Sequence, residues 1–289
     1  MNTQIADNTT AAGQRPDNIL DGFSLEITAK DVESYVKALP SIPAQSSISV
    51  TFLPGETIEA RLHAIEQVNA SGMLPMPHIS ARRIQSAKEL QNYVQVAAKQ
   101  SNVKRCFVIA GDPSEAAGPY SDSLSVIKTG VFEKNGIEVI GIGGHPEGHP
   151  NMSVEECFDV LDAKCTEIKN RGMQELIVTQ FSFDAEAVLN WLVELRKRGI
   201  NAPVRLGVPG PAGIKTLLRF AKICGVEAST SVVKKYGFSL TQLMGTAGPD
   251  KLVDAYKNQL SAQHGNVQIH FYPFGGLERT LQWVDAYRR

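Results

Sequence analysis

A rhythm constrains this chain more than any single residue does: short β-rich runs recur along it, each followed by a longer stretch with helical periodicity. The runs fall at 24–29, 47–53, 74–80, 105–111, 138–144, 175–182, 203–208 and 267–274, which makes eight. Amphipathic stretches such as 57–70, 87–100, 153–170 and 185–198 lie between them, several closed by a glycine (Gly72, Gly172, Gly199), and another at 277–289 ends the chain. Alternation of this kind predicts a parallel sheet. Eight units predict that the sheet closes into a (β/α)8 TIM barrel; an open doubly wound sheet fits less well, because no G-x-G-x-x-G follows the first run. One connection breaks the rhythm. About sixty residues separate the seventh and eighth runs, with helical patterns at 216–224, 231–236, 240–244 and 249–263, so extra helices are expected beside the barrel mouth.

A barrel of 289 residues needs a large core, and 43% hydrophobic with 20% charged residues supplies one. The formal net charge of −1, with no long run of one sign, excludes the basic stripe that a nucleic acid would require. No stretch approaches the roughly 18 consecutive apolar residues of a bilayer span, so no membrane partner is expected. Residues 1–20 are polar, carry Asp7 and Asp17, and lack the basic start and apolar core of a secretory leader. They are expected to form a disordered tail ahead of a single barrel domain at 21–289. Cys106, Cys157, Cys165 and Cys224 show no C-x-x-C spacing, which points to buried thiols in a reducing, cytoplasmic compartment.

In barrels of this kind the chemistry sits at the carboxyl ends of the strands. The first run offers Glu26 there, the second Thr51, the third His78, the fourth Asp112, the fifth His145, Glu147 and His149, the sixth Gln180 and Asp184, and the eighth Tyr272. Alternation in Ser24-Leu25-Glu26-Ile27-Thr28 allows Glu26 to face the barrel interior or the helices. A carboxylate facing the helices is costly unless paired, as in a structural ion pair. Facing inward beneath a ligand, it is a candidate general acid, because desolvation favours the protonated carboxyl. Asp112, between Gly111 and Pro113, reads either as an acid at the rim or as an ordinary turn aspartate.

The segment His145-Pro146-Glu147-Gly148-His149 contains metal-ligand types, which makes a metal-dependent barrel hydrolase the rival reading. Its prolines and glycine, with Pro150, prevent the helix that would put both histidines on one face, so a cofactor-lining or structural loop is the favoured one. The glycines from Gly207 to Gly213, and Gly275-Gly276, suit either a phosphate site or tight loops, although Pro209 and Pro211 remove two backbone donors.

Several of these segments resemble one family in order and spacing. They are Thr51-Phe52, Pro77-His78-Ile79, Gly111-Asp112-Pro113, Pro146-Glu147-Gly148-His149-Pro150, Val178-Thr179-Gln180-Phe181-Ser182-Phe183-Asp184 and His270-Phe271-Tyr272. From about Ser24 to the end, the chain resembles the methylenetetrahydrofolate reductases. That resemblance implies a barrel holding FAD non-covalently, taking reducing equivalents from NADH or NADPH and interconverting 5,10-methylenetetrahydrofolate and 5-methyltetrahydrofolate, as in methionine biosynthesis. It implies Glu26 as the acid that opens the folate ring to an iminium ion, and Asp112 as a negative charge near flavin and pterin. Gln180, Phe220 and Tyr272 match folate-contacting positions. Thr51, His78, Gly111, Asp112, Tyr120, Ser121, His145, Glu147, His149, Asp162 and Lys169 match the flavin site. Asp162 and Lys169 are seven residues apart, hence on one helix face, where Lys169 would suit the flavin phosphates.

The chain also departs from the family. It reads Glu26-Ile27-Thr28-Ala29 for the usual Glu-Phe-Phe-Pro-Pro, places Ala110 where many members have arginine, and puts His145 in place of a tyrosine. Pro273-Phe274-Gly275-Gly276 replaces the usual Thr-Leu-Asn-Arg. Losing the arginine and the tyrosine withdraws a charge and an aromatic face, so weaker flavin binding is expected. A folate-binding barrel without redox activity is a further alternative, and a homo-oligomer is compatible with any of these readings.

Overall fold

The computed structural model describes residues 18–226 and 246–289. Its barrel strands are β1 (Ser24–Ile27), β2 (Ser47–Val50), β3 (Leu74–Ser80), β4 (Arg105–Ile109), β5 (Val139–Gly144), β6 (Gln174–Phe181), β7 (Val204–Pro209) and β8 (Val267–Tyr272). Each pairs in parallel with its neighbour in sequence and β1 closes on β8, so the barrel sheet has no free edge. Strands β1, β2, β4 and β8 end a few residues before their β-rich patterns do, because the chain turns out of the ladder at the rim. After β1, for instance, Thr28 and Asp31 already form a capping box.

The helices are α1 (Val32–Ala38), α2 (Ile58–Ala70), α3 (Ala87–Ser101), α4 (Ser123–Ile127), α5 (Val131–Lys134), α6 (Val154–Asn170), α7 (Ala185–Lys197), α8 (Ile214–Cys224), α9 (Asp250–Gln259) and α10 (Leu277–Tyr287). Side-chain caps set several starts. Thr57 accepts from the Ala60 amide, Ser86 from Glu89, Ser153 from Glu156 and Asp184 from Glu186 and Ala187. These caps lie just past the carboxyl ends of the strands, so each also anchors part of the rim. The expected helix at 249–263 is α9 followed by a short 3-10 turn, Ala262–His264. The expected helices at 231–236 and 240–244, and nearly all of the expected tail, lie outside the described residues.

Period-two alternation sorts the strand residues into two layers. Ile48, Val50, Ile79, Val108, Ile142, Ile177, Leu206, Ile269 and Phe271 are buried against the helices and form the main core. The other face lines the interior. Around the ring the register sets Glu26 opposite Ser49, Ser49 opposite Met76, His78 opposite Phe107, Phe107 opposite Gly141, Gly141 opposite Leu176, Val178 opposite Arg205, Gly207 opposite His270, and His270 opposite Ser24. Met76, Phe107, Leu176 and Val178, with Ile109 and Val139 packed against them, make a second and separate apolar cluster. Glu26 therefore faces inward.

Candidate active site

The floor of the site is a carboxylate among imidazoles. Glu26 Oε2 lies 3.7 Å from His270 Nε2, with the two side chains 16% and 2% exposed. On its other side, His270 Nδ1 is 2.8 Å from Ser24 Oγ. His78 also faces Glu26 and packs on Phe107, ring centroids 4.7 Å apart. Burial pushes its pKa down to about 4, against the attraction of the Glu26 charge and reinforced by His270, so it is neutral at pH 7.

One wall is aromatic. The Tyr272 hydroxyl donates to the Thr179 carbonyl at 2.9 Å; burial first, then the nearby Glu26 and Cys224, hold the phenol well above its ordinary pKa. Phe220 of α8 stacks on Phe274 at 4.1 Å with 12° between the planes, and Phe274 in turn lies 5.7 Å from Tyr272. Gly207 is required beneath them. A Cβ there would sit 2.6 Å from the Thr179 carbonyl oxygen and 2.8 Å from the Tyr272 ring. Cys224, the last residue of α8, is half-buried, and its thiol is pushed up to about 11 by burial and by the charges of Glu26 and Asp112. A bulge in β6 between Val178 and Phe181 shifts the register at Gln180, whose Oε1 accepts from the Phe181 amide at 3.1 Å.

The opposite wall carries polar groups. Thr51 Oγ1 and Ser80 Oγ are buried and have no hydrogen-bond partner among the described residues. Gly111, at φ +90°, turns so tightly over Ser80 that a Cβ would collide with its hydroxyl. Asp112 beside it is exposed and pairs with Arg83 Nη2 at 2.8 Å. Arg82 ties down the next loop, donating to the Ser121 and Pro113 carbonyls at 2.8 and 3.1 Å. Within that loop Tyr120 is buried, while Ser121 is exposed and donates to Asp122.

His145 and His149 meet edge to face at 4.9 Å. Burial, His149 and Lys164 push His145 down to about 4; burial, Arg82 and Lys164 lower His149. Glu147 between them is half-buried, and its charge helps raise the Tyr256 phenol of α9, which burial raises most. Lys164 is the unexpected member of this group. It is only 8% exposed on the inner face of α6, has no hydrogen bond or ion pair among the described residues, and has its pKa lowered by burial. The Asp122 carboxylate acts on it without direct contact, and an anion placed beside it would further offset the cost of burying the ammonium.

Asp162 and Lys169 are not brought to this site. Both are exposed, and Lys169 Nζ lies 2.8 Å from Glu175 Oε1 near the amino end of β6, at the opposite end of the barrel. Seven residues are two turns, which shows that they share a face but not which face or which end. The signal for Lys164 was in the sequence: with Leu161, Cys165 and Ile168 it completes an apolar stripe at helical spacing. His270 could also have been found, since it lies two residues before Tyr272 and so on the same face of the strand.

The glycine loops are not arranged as a phosphate cradle. The Gly210 amide donates to the Tyr272 carbonyl and the Gly276 amide to the Pro273 carbonyl, both at 2.8 Å, and a Cβ on Gly275 would collide with the Pro211 carbonyl. Gly210 and Gly275 serve close packing of the loops after β7 and β8, and Gly276 supplies a positive φ of +98° in the turn. Among the described residues no group of three His, Cys, Asp or Glu side chains is placed to hold a metal ion, so the loop from His145 to His149 does not form the donor set that a metal hydrolase would need. No described helix is long and apolar enough to cross a membrane.

Fold and site together define a (β/α)8 barrel with an acid–imidazole floor, an aromatic wall and a buried lysine, Lys164, near its carboxyl rim. The chain belongs to the methylenetetrahydrofolate reductase family, whose model, described as methylenetetrahydrofolate reductase, matches residues 28–279. It is 28% identical over 203 residues to methylenetetrahydrofolate reductase 1 of Schizosaccharomyces pombe, covering 65% of this chain and 31% of that one. It is 21% identical over 193 residues to methylenetetrahydrofolate reductase (NADH) 1 of Arabidopsis thaliana, covering 60% and 31%. The chain thus spans under a third of the length of these curated relatives. A solved structure of an uncharacterized protein from Clostridium thermocellum, described as binding two copies of 5-methyl-5,6,7,8-tetrahydrofolic acid, superposes with a TM-score of 0.65. It covers 93% of this chain and 96% of that one at 13% identity, a likeness of fold.

Proposed function

We propose that this barrel is a flavin-dependent methylenetetrahydrofolate reductase, interconverting 5,10-methylenetetrahydrofolate and 5-methyltetrahydrofolate with NADH or NADPH as electron donor. The observation that carries the reading is Glu26, an inward carboxylate at the barrel floor beside His270, beneath an aromatic wall. Family membership supports it, as do relatives named for NADH in Arabidopsis thaliana and for NADPH in Caenorhabditis elegans.

The residues present fit FAD. Lys164, buried and without a direct ion pair among the described residues, offers its positive charge to a pyrophosphate, and the orphaned hydroxyls of Thr51 and Ser80 offer donors at the strand ends. Neutral His145 and His149 lie near Lys164, and neutral His78 lies at the floor near Glu26. When bound, FAD would supply a reversible two-electron carrier between nicotinamide and folate. Tyr272, Phe274 and Phe220 would orient the flat pterin and exclude water, and the Gln180 amide would hydrogen-bond its polar edge. Glu26 would give its proton to a folate nitrogen as the five-membered ring opens, leaving an iminium carbon to accept hydride. Asp112, held by Arg83, would sit near the cation so formed.

Titration of the purified protein with FAD is the test, followed by flavin absorbance and fluorescence. Saturable spectral changes are expected, with flavin lost on dialysis because Ala110 and His145 leave the site short of an arginine and a tyrosine. A protein that takes up methyltetrahydrofolate but never flavin would instead be a folate-binding barrel without redox activity.

A further inference from the structure

We propose that Arg82 is a positioning residue that clamps the loop after β4 into its working shape before any ligand arrives, and so holds Asp112 at the site. It rests on the reductase reading and deepens it, because Asp112, Tyr120 and Ser121 all ride on this loop. Residues 110–122 run from the end of β4 to the start of α4, and of them only Tyr120 is buried. A loop with so little burial is not ordered by packing. Its order comes from one residue of the neighbouring connection. The Arg82 amide donates to the Ala110 carbonyl at 2.9 Å, and the Arg82 carbonyl accepts from the Ala117 amide at 2.8 Å. The side chain reaches further, Nε donating to the Ser121 carbonyl at 2.8 Å and Nη1 to the Pro113 carbonyl at 3.1 Å. Arg82 is thereby fastened to the start, the middle and the end of the loop.

Two carbonyls distant along the loop are bridged by two nitrogens of one planar guanidinium, which closes the loop at its neck. A lysine, with a single ammonium, has no such fork. Asp112 directly precedes one clamped residue and Tyr120 the other, so each is one peptide away from a fixed carbonyl. Two further contacts agree with this shape. Gly118 lies so close beneath the clamp that a Cβ would collide with the carbonyls of Ile84 and Gln85, and Arg83 takes Asp112 at 2.8 Å. Burial first, then the Arg82 charge, lowers the pKa of His149 in the facing loop after β5, which sets the guanidinium on the site side of the rim. A loop fixed in advance incurs no ordering cost when a ligand binds, and it keeps the Asp112 carboxylate where the iminium cation forms.

The clamp can be tested first in the ligand-free protein. Arg82→Met should speed hydrogen exchange at the Ala117 amide and cleavage after Glu115 by a glutamate-specific protease, each about tenfold, with the urea midpoint near that of wild type. Arg82→Lys, a milder change that keeps the charge and loses the fork, should speed both by less, and it stays readable if Arg82→Met does not fold. The second test is a cycle of Arg82→Met and Asp112→Asn, read by the folate half-reaction at saturating flavin and folate. Arg82→Met alone should slow that step about tenfold, but by less than about twofold in the Asp112→Asn background, because it acts through the carboxylate it holds. A merely structural defect would slow both backgrounds equally. Equal slowing, or an unchanged loop in the exchange and cleavage measurements, would overturn the proposal. Those two measurements need neither flavin nor turnover. A wild-type protein inactive on folate would therefore sink the reductase reading, while the clamp would still be decided.

Discussion

The two halves of the barrel interior differ in kind. On β3 to β6 the middle of the inward face holds Met76, Phe107, Leu176 and Val178, an apolar cluster, with polar His78 and Ser80 above it and Arg105 below. On β1, β2, β7 and β8 they hold Ser24, Glu26, Ser49, Arg205, Gln268 and His270, all polar, with only Glu26 more than slightly exposed. The apolar half can hold its shape by packing alone. The polar half must satisfy each group by name, and so it is where protons can be held and moved.

That division can be broken most directly on the apolar side. Phe107→Ala should cost about 4 kcal/mol in urea unfolding, as a large ring removed from a packed cluster, whereas Ser49→Ala in the polar half should cost under about 1 kcal/mol. Similar losses at the two positions would erase the distinction.

His78 joins the halves, packing on Phe107 while facing Glu26. Burial lowers its pKa to about 4 in the folded protein from the ordinary imidazole value of about 6.5, so between those values the unfolded chain binds more protons. The stability it contributes is therefore fully present above about pH 6.5 and is lost as pH falls toward 4, by at most about 3 kcal/mol. Urea midpoints measured across that window should fall with acid, and His78→Gln should flatten the slope.

On the polar side, Glu26→Gln should lower folate reduction by about 100-fold or more, near 2.7 kcal/mol, while flavin uptake and its reduction by nicotinamide survive. Near wild-type folate turnover in that variant would remove Glu26 from the mechanism. The smallest effect tests the rim instead of the interior. Lys164→Met should weaken FAD binding about tenfold and Lys169→Met by less than about twofold, read by fluorescence titration. The reverse order would return the phosphate site to the outer face of α6.

Much of the fold was legible because its signals are local. Alternating apolar residues mark β3 and β8, and Thr57, Ser86, Ser153 and Asp184 announce the helices they cap. The candidate site was legible in part. Glu26, His78, Gln180 and Tyr272 could be ranked along the rim, yet Lys164 was passed over for Lys169, and Arg83 gave no sign that it would pair with Asp112 across 29 positions of sequence. The bulge at Gln180 was equally hidden, since an extra residue in one strand is defined only by the strand beside it.

By itself the sequence determined that this chain would build eight β/α units and carry an acid on the first strand, because periods of two and of 3.6 are written in consecutive residues. Only the closed barrel decided that Glu26 looks inward, that His270 lies beside it, and that Lys164 is the lysine buried against the rim. Those facts depend on how far each strand slides against its neighbour before the ring closes, a quantity that no local stretch of sequence contains.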